Sequence, residues 1–480
     1  MLSGKAALSL FALPFLSACA SAPGGMSEVA PAPVELEQAG PLRTIIENGA
    51  VNPHSVGAWV SRGYGYILNV TEDGLTRYHD DGAYCFATPE AAKGATDSLS
   101  LEYRYFRTSP DGQWAAFQLL PDDTQIVFDR LSSLPERCFS VTPNDYTTNF
   151  DIFARLIGDH YAFFKERKID WPARVAAARP KLAQIGNDKE FFDLLASMID
   201  GFSDSHTKLI AVIEGQKRRQ QDGQGQTLPM VRNGIGETPW LIGIFGNLAE
   251  KTLSPSYHVA NDRIIWGKIG DNVGYIQIFV MGGFTGTDIA DPGFRDAELA
   301  ALDSIMQEAF TAFSNADAII LDLSNNRGGY DAISRRLAGY FSDEPYVAYT
   351  TQARGAGQPP VHRMASAPDD IKFTGPVYLM TSDVTVSGGE LAVLAMKQLP
   401  NVTLAGGATR GSFSTVFSKP LPNGWVIEMS NEVIAGADGA VYEETGIAPD
   451  LILDVYPSGD PIGGHAKALH AVVDLINQTE

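Results

Sequence analysis

Apolar runs and helical segments alternate along the C-terminal part of this chain, and this alternation constrains its fold more than any other feature. Apolar runs at 275–280, 318–323 and 377–380 indicate buried strands. Between the first two, the segment from about 295 to 313 has helical character. Because strands and helices follow each other in this way, residues 266–480 are predicted to form an α/β layered core.

Three regions precede this core. Residues 41–142 hold short β-rich runs separated by turn signals, and they predict a small antiparallel β-rich domain. Residues 143–210 predict a helical region, because their apolar residues recur on one helical face. Residues 211–265 are a connecting segment. Within it, residues 215–235 are rich in Gln, Gly and Arg and are predicted to be a mobile loop.

The first 19 residues predict an export signal. A positive charge precedes an apolar run that is too short to span a membrane. The ending Leu16–Cys19 is similar to a bacterial lipobox, in which Cys19 would carry the lipid; the alternative is an ordinary signal peptide cut near Ala20 or Ala22. By this resemblance, the alanine after Cys19 favours the outer membrane of a Gram-negative envelope, with the protein facing the periplasm. Residues 20–40 predict a flexible tether, so only the lipid anchor would reach the membrane.

Composition excludes some function classes. The 480 residues are 44% hydrophobic and 19% charged, which is typical of a globular protein, and the net charge of −21 disfavours nucleic acid as a partner. Beyond Cys19 the chain has only Cys85 and Cys138, which predict one disulfide in an exported protein or, alternatively, two separate buried thiols. No Cys or His spacing is typical of a metal site, so no metal or other cofactor is predicted.

Ser387 is the candidate nucleophile. It lies in the segment Thr381–Glu390, where an apolar run, a tight turn and a second apolar run predict the order strand, turn, helix. A serine at the start of a helix lies beside backbone N–H groups that have no partner within the helix, and these groups stabilise an oxyanion. The glycines that follow, Gly388 and Gly389, allow close approach of a substrate. The alternative interpretation is a plain strand–helix turn.

Three further segments carry candidate catalytic groups. Ser205 and His206 lie in a polar loop after the helical region, and the histidine is a candidate general base. The segment Asp322–Gly329 is a buried strand that runs into a Gly-Gly loop with free N–H groups. Residues 442–450 place carboxylates before a turn. Taken singly, the first and third segments are more simply interpreted as a surface histidine and a charged loop, and the second is equally interpreted as a helix-entry turn.

Together and in this order, the segments resemble the C-terminal processing (tail-specific) serine proteases, in the branch close to the tricorn protease core. Thr381–Glu390 is similar to the nucleophile segment of that family, Asp322–Gly329 to its oxyanion loop, Asp204–Thr207 to its histidine segment, and Glu443–Asp450 to its last motif. The resemblance covers about residues 145–455. It implies a crotonase/ClpP-like α/β core with a mixed sheet and helices, and a peptide or protein substrate.

The resemblance also implies a role for each matching residue. Ser387 would be the nucleophile and His206 the base, with Ser205 and Glu443 completing a Ser–His–Ser–Glu relay; Glu444 is the alternative carboxylate. The oxyanion would be held by the N–H of Gly388 together with that of Gly328 or Gly329. These assignments predict a serine peptidase.

The chain departs from the family pattern at three points. Ser412 stands where many relatives have a catalytic lysine, which favours the histidine-based branch. Ser324 stands where the oxyanion loop usually has an arginine, and no segment resembles a PDZ domain. Two alternative functions remain: a hydrophobic-ligand carrier on the same fold, and an esterase, although Ser387 lacks the Gly-x-Ser-x-Gly pattern of the α/β-hydrolases.

Overall fold

The computed structural model describes residues 32–88, 102–140, 142–253 and 256–478. The predicted signal sequence, Cys19 and the first part of the tether lie outside these ranges, so the lipid anchor and the envelope location stay predictions. Within the described ranges, none of the helices combines the length and the apolar character that crossing a membrane requires.

The N-terminal part forms an eight-stranded antiparallel sheet, which confirms the predicted β-rich region. The strands of this part are β1 (Arg43–Thr44), β2 (Ile46–Glu47), β3 (Ala50–Val51), β4 (Gly57–Ser61), β5 (Tyr66–Thr71), β6 (Gly74–Asp80), β7 (Cys85–Ala87), β8 (Tyr105–Thr108), β9 (Trp114–Gln118) and β10 (Ile126–Leu131). Their order in the sheet is β1-β8-β9-β10-β4-β5-β6-β7, and β2 pairs with β3 separately. This region is called the N-terminal sheet below.

Cys85 and Cys138 form a disulfide, as the sequence predicted. Cys85 begins β7, and Cys138 lies in the short 3-10 helix Glu136–Phe139. The bridge packs against Ile67, which is fully buried. It therefore ties the edge of the N-terminal sheet to the segment that leads into the helical region.

Three helices follow, as their periodicity predicted: α1 (Tyr146–His160), α2 (Trp171–Ala178) and α3 (Asp188–Ile199). Each begins with a side chain that accepts a hydrogen bond from a backbone N–H of the first turn, which satisfies one of the unpaired donors there. These capping residues are Asp145, Asp170 and Asn187. The buried faces of the helices share one hydrophobic core with the N-terminal sheet.

The prediction of a mobile loop at 215–235 is wrong. The chain there forms β12 (Gln216–Gln221) and α4 (Thr227–Asn233). These elements lie between β11 (Lys208–Ile213) and α5 (Glu237–Asn247). The start of α4 is held by a distant residue, because the Asp383 carboxylate accepts hydrogen bonds from the N–H and the hydroxyl of Thr227. Local sequence patterns cannot predict this contact, because Asp383 is far from Thr227 in the sequence.

The core is a seven-stranded mixed sheet between two helical layers, which confirms the predicted α/β class. The remaining strands are β13 (Tyr257–Ala260), β14 (Ile264–Ile269), β15 (Val273–Ile278), β16 (Ala318–Asp322), β17 (Tyr346–Ala353), β18 (Val361–Ala365), β19 (Val377–Thr381), β20 (Val402–Gly406), β21 (Val416–Pro420), β22 (Val426–Ser430), β23 (Glu432–Gly436) and β24 (Leu451–Ile452). The order in the core sheet is β13-β14-β15-β16-β19-β20-β24, and the strands from β15 to β24 pair in parallel. Smaller sheets have the orders β12-β11-β22-β21 and β18-β17-β23.

The helices of the core are α6 (Phe294–Ala312), α7 (Asp331–Gly339), α8 (Gly388–Met396) and α9 (Pro461–Gln478). Helices α6, α7 and α8 pack on one face of the sheet, and α5 and α9 pack on the other. The parallel neighbours β16 and β19 end side by side. Because ligand sites of open α/β sheets lie beyond the carboxyl ends of such strands, the loops after β16 and β19 mark the candidate site.

Candidate active site

Ser387 directly precedes α8 and has an unusual backbone conformation, with φ 56° and ψ −123°. A residue other than glycine pays about 1–3 kcal/mol for such a conformation, so its surroundings must hold it there. Its N–H points to the carbonyl oxygen of Ser412 at 3.2 Å and to Oε2 of Glu390 at 3.3 Å. The Ser387 side chain is half-buried and lines a cavity.

The glycine loop after β16 lies against Ser387, as predicted. A β-carbon at Gly328 would be 2.7 Å from the Ser387 β-carbon, and one at Gly388 would be 2.8 Å from the carbonyl oxygen of Gly329. Gly328 also has φ 83°, a left-handed conformation that favours glycine. The two loops can therefore approach this closely only because these positions lack side chains.

The structure distinguishes the two candidate oxyanion donors of this loop. The N–H of Gly328 is used internally, because it donates to Oδ1 of Asn326 at 2.8 Å. Within the described ranges, no acceptor is recorded for the N–H of Gly329 or of Gly388. Gly328 thus shapes the loop, whereas Gly329 and Gly388 have free donors beside the nucleophile.

Asp322, the last residue of β16, holds the start of the glycine loop in place. Its buried carboxylate accepts hydrogen bonds from the Tyr275 hydroxyl, at 2.7 Å, and from the N–H of Ser324, at 2.8 Å, and it contacts His465 Nε2 at 2.7 Å. Ser324, which replaces the arginine of the family pattern, accepts a bond from the Ser382 hydroxyl through its carbonyl oxygen. The loop therefore keeps an ordered geometry without that arginine.

The segment Gly411–Phe413 connects the nucleophile to the predicted base and carboxylate. The N–H groups of Gly411 and Ser412 donate to the Glu390 carboxylate. The Ser412 hydroxyl accepts the N–H of Ser205 at 3.3 Å, and the N–H of Phe413 donates to Glu443 at 3.0 Å. Sequence analysis identified Ser412 only as the replacement of a lysine and missed its role in joining these loops.

His206 is buried, with 6% of its surface exposed. Its backbone N–H donates to the Asp204 carboxylate at 2.8 Å. Burial lowers the pKa of the imidazole to about 4, and the charge of Asp204 offsets only part of this effect. The imidazole is therefore neutral at pH 7, as a general base must be. Its Nδ1 and the neighbouring Ser205 Oγ are both buried and have no hydrogen-bond partner in the described structure.

Glu443 is 3% exposed, and both of its oxygens accept hydrogen bonds. Oε2 accepts the N–H of Phe413, and Oε1 pairs with Arg167 at 2.7 Å. Burial and the charge of Asp204 raise the pKa of the Glu443 carboxyl, whereas the guanidinium of Arg167, which is hydrogen-bonded to it, opposes them and favours the carboxylate. Glu444 is partly exposed and pairs with the same arginine.

Arg167 was missed by sequence analysis. It lies between α1 and α2, is buried, and also donates to the carbonyl oxygens of Ser203 and Gly411. In the sequence it stands in a run of charged residues, Lys165 to Lys168, which is typical of an exposed turn. No local signal separates this buried cation from its exposed neighbours.

The predicted catalytic residues are thus gathered around one segment, but the relay between them is not assembled. Within the described residues, no hydrogen bond is recorded between Ser387 and His206 or between Ser205 and Glu443. Catalytic hydrogen bonds often form fully only when substrate is bound. The described ranges also contain no group of three or more His, Cys, Asp or Glu side chains that could hold a metal.

Ser387 and Gly388 line a cavity of about 470 Å³, within the range of small-ligand sites. One wall comes from the core and contains Tyr330, Leu391 and Phe413. The opposite wall comes from the N-terminal sheet and its loops, and contains Tyr103, Phe117, Gln118, Leu119, Asp123 and Ile126.

Two protein-family models match parts of the chain. Residues 272–453 match the model of peptidase family S41, and residues 142–200 match that of the tricorn protease C1 domain. No curated protein matches the chain.

Two solved structures share the fold. A candidate peptidase from Parabacteroides merdae ATCC 43184 is 22% identical, with a TM-score of 0.55 over 70% of this chain and 97% of that one. Mature CPAF is 13% identical, with a TM-score of 0.53 over 71% of this chain and 99% of that one.

Proposed function

We propose that this serine peptidase, whose residues 272–453 match the model of peptidase family S41, cleaves peptide bonds through Ser387 with His206 as the general base. The observation that carries the proposal is a pair of N–H groups, on Gly329 and Gly388, that have no acceptor among the described residues and lie beside a serine held in a strained conformation. Such donors bind the oxyanion of a tetrahedral intermediate, and each typically contributes about 3–4 kcal/mol to catalysis.

The proposed reaction has two stages. His206 takes the proton of the Ser387 hydroxyl while the oxygen attacks the substrate carbonyl carbon, and the oxyanion forms between the N–H groups of Gly329 and Gly388. His206 then gives the proton to the leaving amine, the C–N bond breaks, and an acyl-enzyme remains. A water molecule, deprotonated by His206, hydrolyses the ester and restores the Ser387 hydroxyl.

We further propose that Ser205 and Glu443 support the base. When His206 Nε2 faces Ser387, its Nδ1 carries a hydrogen, and the adjacent Ser205 Oγ is the available acceptor, since both atoms lack other partners. The Ser205 hydroxyl would in turn donate to Glu443, which lies in the same buried cluster around Gly411–Phe413. The third and fourth groups then orient the imidazole and stabilise its positive charge.

The test is covalent labelling by a fluorophosphonate probe together with peptide hydrolysis. We expect Ser387→Ala to abolish labelling and His206→Ala to slow it by several orders of magnitude, without loss of the thermal transition. Ser314→Ala, which changes an exposed serine after α6, is the matched control and should label like the parent. A folded parent that does not label would overturn the proposal.

The relay is tested separately by two neighbouring variants. Glu443→Gln should lower kcat by about 10–100-fold, because the base loses its orienting carboxylate while the Gln side chain keeps the volume. Glu444→Gln should have a much smaller effect, since the Glu444 side chain is partly exposed and, within the described residues, pairs only with Arg167. Equal losses in the two variants would remove the assignment to Glu443.

A further inference from the structure

The N-terminal sheet forms one wall of the cavity that contains Ser387. This wall lies outside both family-model matches, which cover residues 142–200 and 272–453. Because this wall and Ser387 line the same cavity, a peptide bound in the cavity at Ser387 would contact side chains of the wall. Their chemistry therefore bears on which peptides are accepted.

Among the residues that the structure describes, the ionisable side chains that line the cavity include three carboxylates, Glu102, Asp123 and Asp331, but no lysine or arginine. Two of the carboxylates have cationic partners, because Glu102 pairs with Arg77 and Asp331 with Arg335. Within the described ranges, Asp123 has no recorded ion pair, and its Oδ2 accepts only the N–H of Leu120, at 3.2 Å.

A second observation points to a donor from outside the chain. Gln118, which also lines the cavity, is 2% exposed, and its amide nitrogen donates to the carbonyl oxygens of Leu120 and Pro121 at 2.8 Å. Its Oε1 is buried and has no partner in the described structure. Buried acceptors of this kind are normally satisfied, so a ligand group with several N–H donors suits this wall.

The environment of Asp123 agrees with this interpretation. Burial raises the pKa of its carboxyl to about 7, the charges of Asp331 and Asp122 act in the same direction, and Arg363 opposes them. A cation placed in the cavity would relieve this cost, because an opposite charge nearby favours the ionised form.

We propose that the N-terminal sheet selects substrates, with Asp123 and Gln118 binding the cationic side chain of a lysine or arginine close to the scissile bond. The ammonium or guanidinium group donates to the Asp123 carboxylate and to Gln118 Oε1. This specificity rests on the proposed peptidase function, since the cavity matters only if Ser387 is the nucleophile.

The experiment compares matched peptides in which one residue near the cleavage site is lysine, norleucine or glutamate. We expect the parent to hydrolyse the lysine peptide with the highest kcat/KM. Asp123→Asn should lower the ratio of lysine to norleucine kcat/KM by about 10–100-fold, the effect of losing one hydrogen bond between charged groups. Asp296→Asn is the control, because Asp296 is exposed, pairs with Arg295 and does not line the cavity.

Fluorophosphonate labelling separates the possible failures. If the parent labels but shows no preference for the lysine peptide, the specificity proposal is overturned and the peptidase function stands. The same conclusion follows if Asp296→Asn changes the ratio as much as Asp123→Asn does. If the folded parent neither labels nor cleaves any peptide, the proposed function itself has failed.

Discussion

The reactivity proposed for Ser387 depends on groups that hold its backbone. The Glu390 carboxylate accepts N–H groups from Ser387, Gly411 and Ser412, so one buried side chain joins the nucleophile turn to the segment that contacts Ser205. Burial raises the pKa of Glu390, and the N–H donors oppose this by favouring the carboxylate. Glu390, in the first turn of α8, is therefore a positioning residue of the site.

The pH dependence of kcat/KM reports on His206. Only the neutral imidazole accepts the Ser387 proton, and burial lowers its pKa to about 4 from the usual value of about 6.5. Protonation inactivates the enzyme only below that pKa, so we expect kcat/KM for a neutral peptide to hold down to about pH 5.5 and to fall through its midpoint near pH 4.

Circular dichroism at each pH separates titration of the base from unfolding. A midpoint near the usual histidine value, with the protein still folded, would contradict the burial of His206 in the working enzyme. His206→Ala should remove the acid limb from whatever residual activity it retains.

The motif order in the sequence was sufficient to place Ser387, Gly328, Gly329 and Gly388 together, because short segments of fixed type carry that information. Choosing between Gly328 and Gly329 as the donor was not possible, since the choice depends on Asn326 occupying one N–H. The roles of Arg167 and Ser412 could not be predicted either, because they arise from contacts between segments more than two hundred residues apart.

Periodicity predicted the helices and buried strands of the core, since each needs only one continuous apolar face. It failed for the segment that contains β12 and α4, where polar residues dominate and the stabilising contacts come from elsewhere. Strand β11 joins β12 to β22, and the carboxylate of Asp383 holds the first turn of α4. Composition indicated a loop there because it carries no information about such partners.

The disulfide between β7 and the 3-10 helix closes a loop with a sequence separation of 53 residues. Cross-linking of that length restricts the unfolded chain and typically stabilises a protein by about 2–4 kcal/mol. We therefore expect the double variant Cys85→Ser, Cys138→Ser to lose about that free energy of unfolding, measured by urea denaturation.

Reduction of the parent by dithiothreitol is the matched control and should give a similar loss. An unchanged unfolding midpoint in both cases would mean that the bridge does not limit the stability of the N-terminal sheet. Because that sheet forms one wall of the Ser387 cavity, the same samples should be assayed for peptide hydrolysis.

The placement of the N-terminal sheet over the cleft was not predictable from the sequence. Sequence patterns indicated a β-rich region but not what it covers, because the cavity is formed by residues 103–126 together with residues near 330 and 390, which are far apart in the sequence. The shared hydrophobic core with α1 and α3 fixes this arrangement. A region that the family models do not match thus lines the cavity that contains Ser387.

The net charge of −21 predicts how ionic strength affects kcat/KM for charged peptides. An acidic protein with carboxylates in its cleft attracts cationic peptides over distances that salt screens. We expect kcat/KM for a lysine-containing peptide to fall several-fold as ionic strength rises from about 0.01 M to about 0.15 M, where the Debye length shrinks from about 30 Å to about 8 Å. The norleucine peptide should change little, because it carries no charge at that position. An equal fall for both peptides would show that salt acts on the enzyme itself, and steering by the acidic surface would then be excluded.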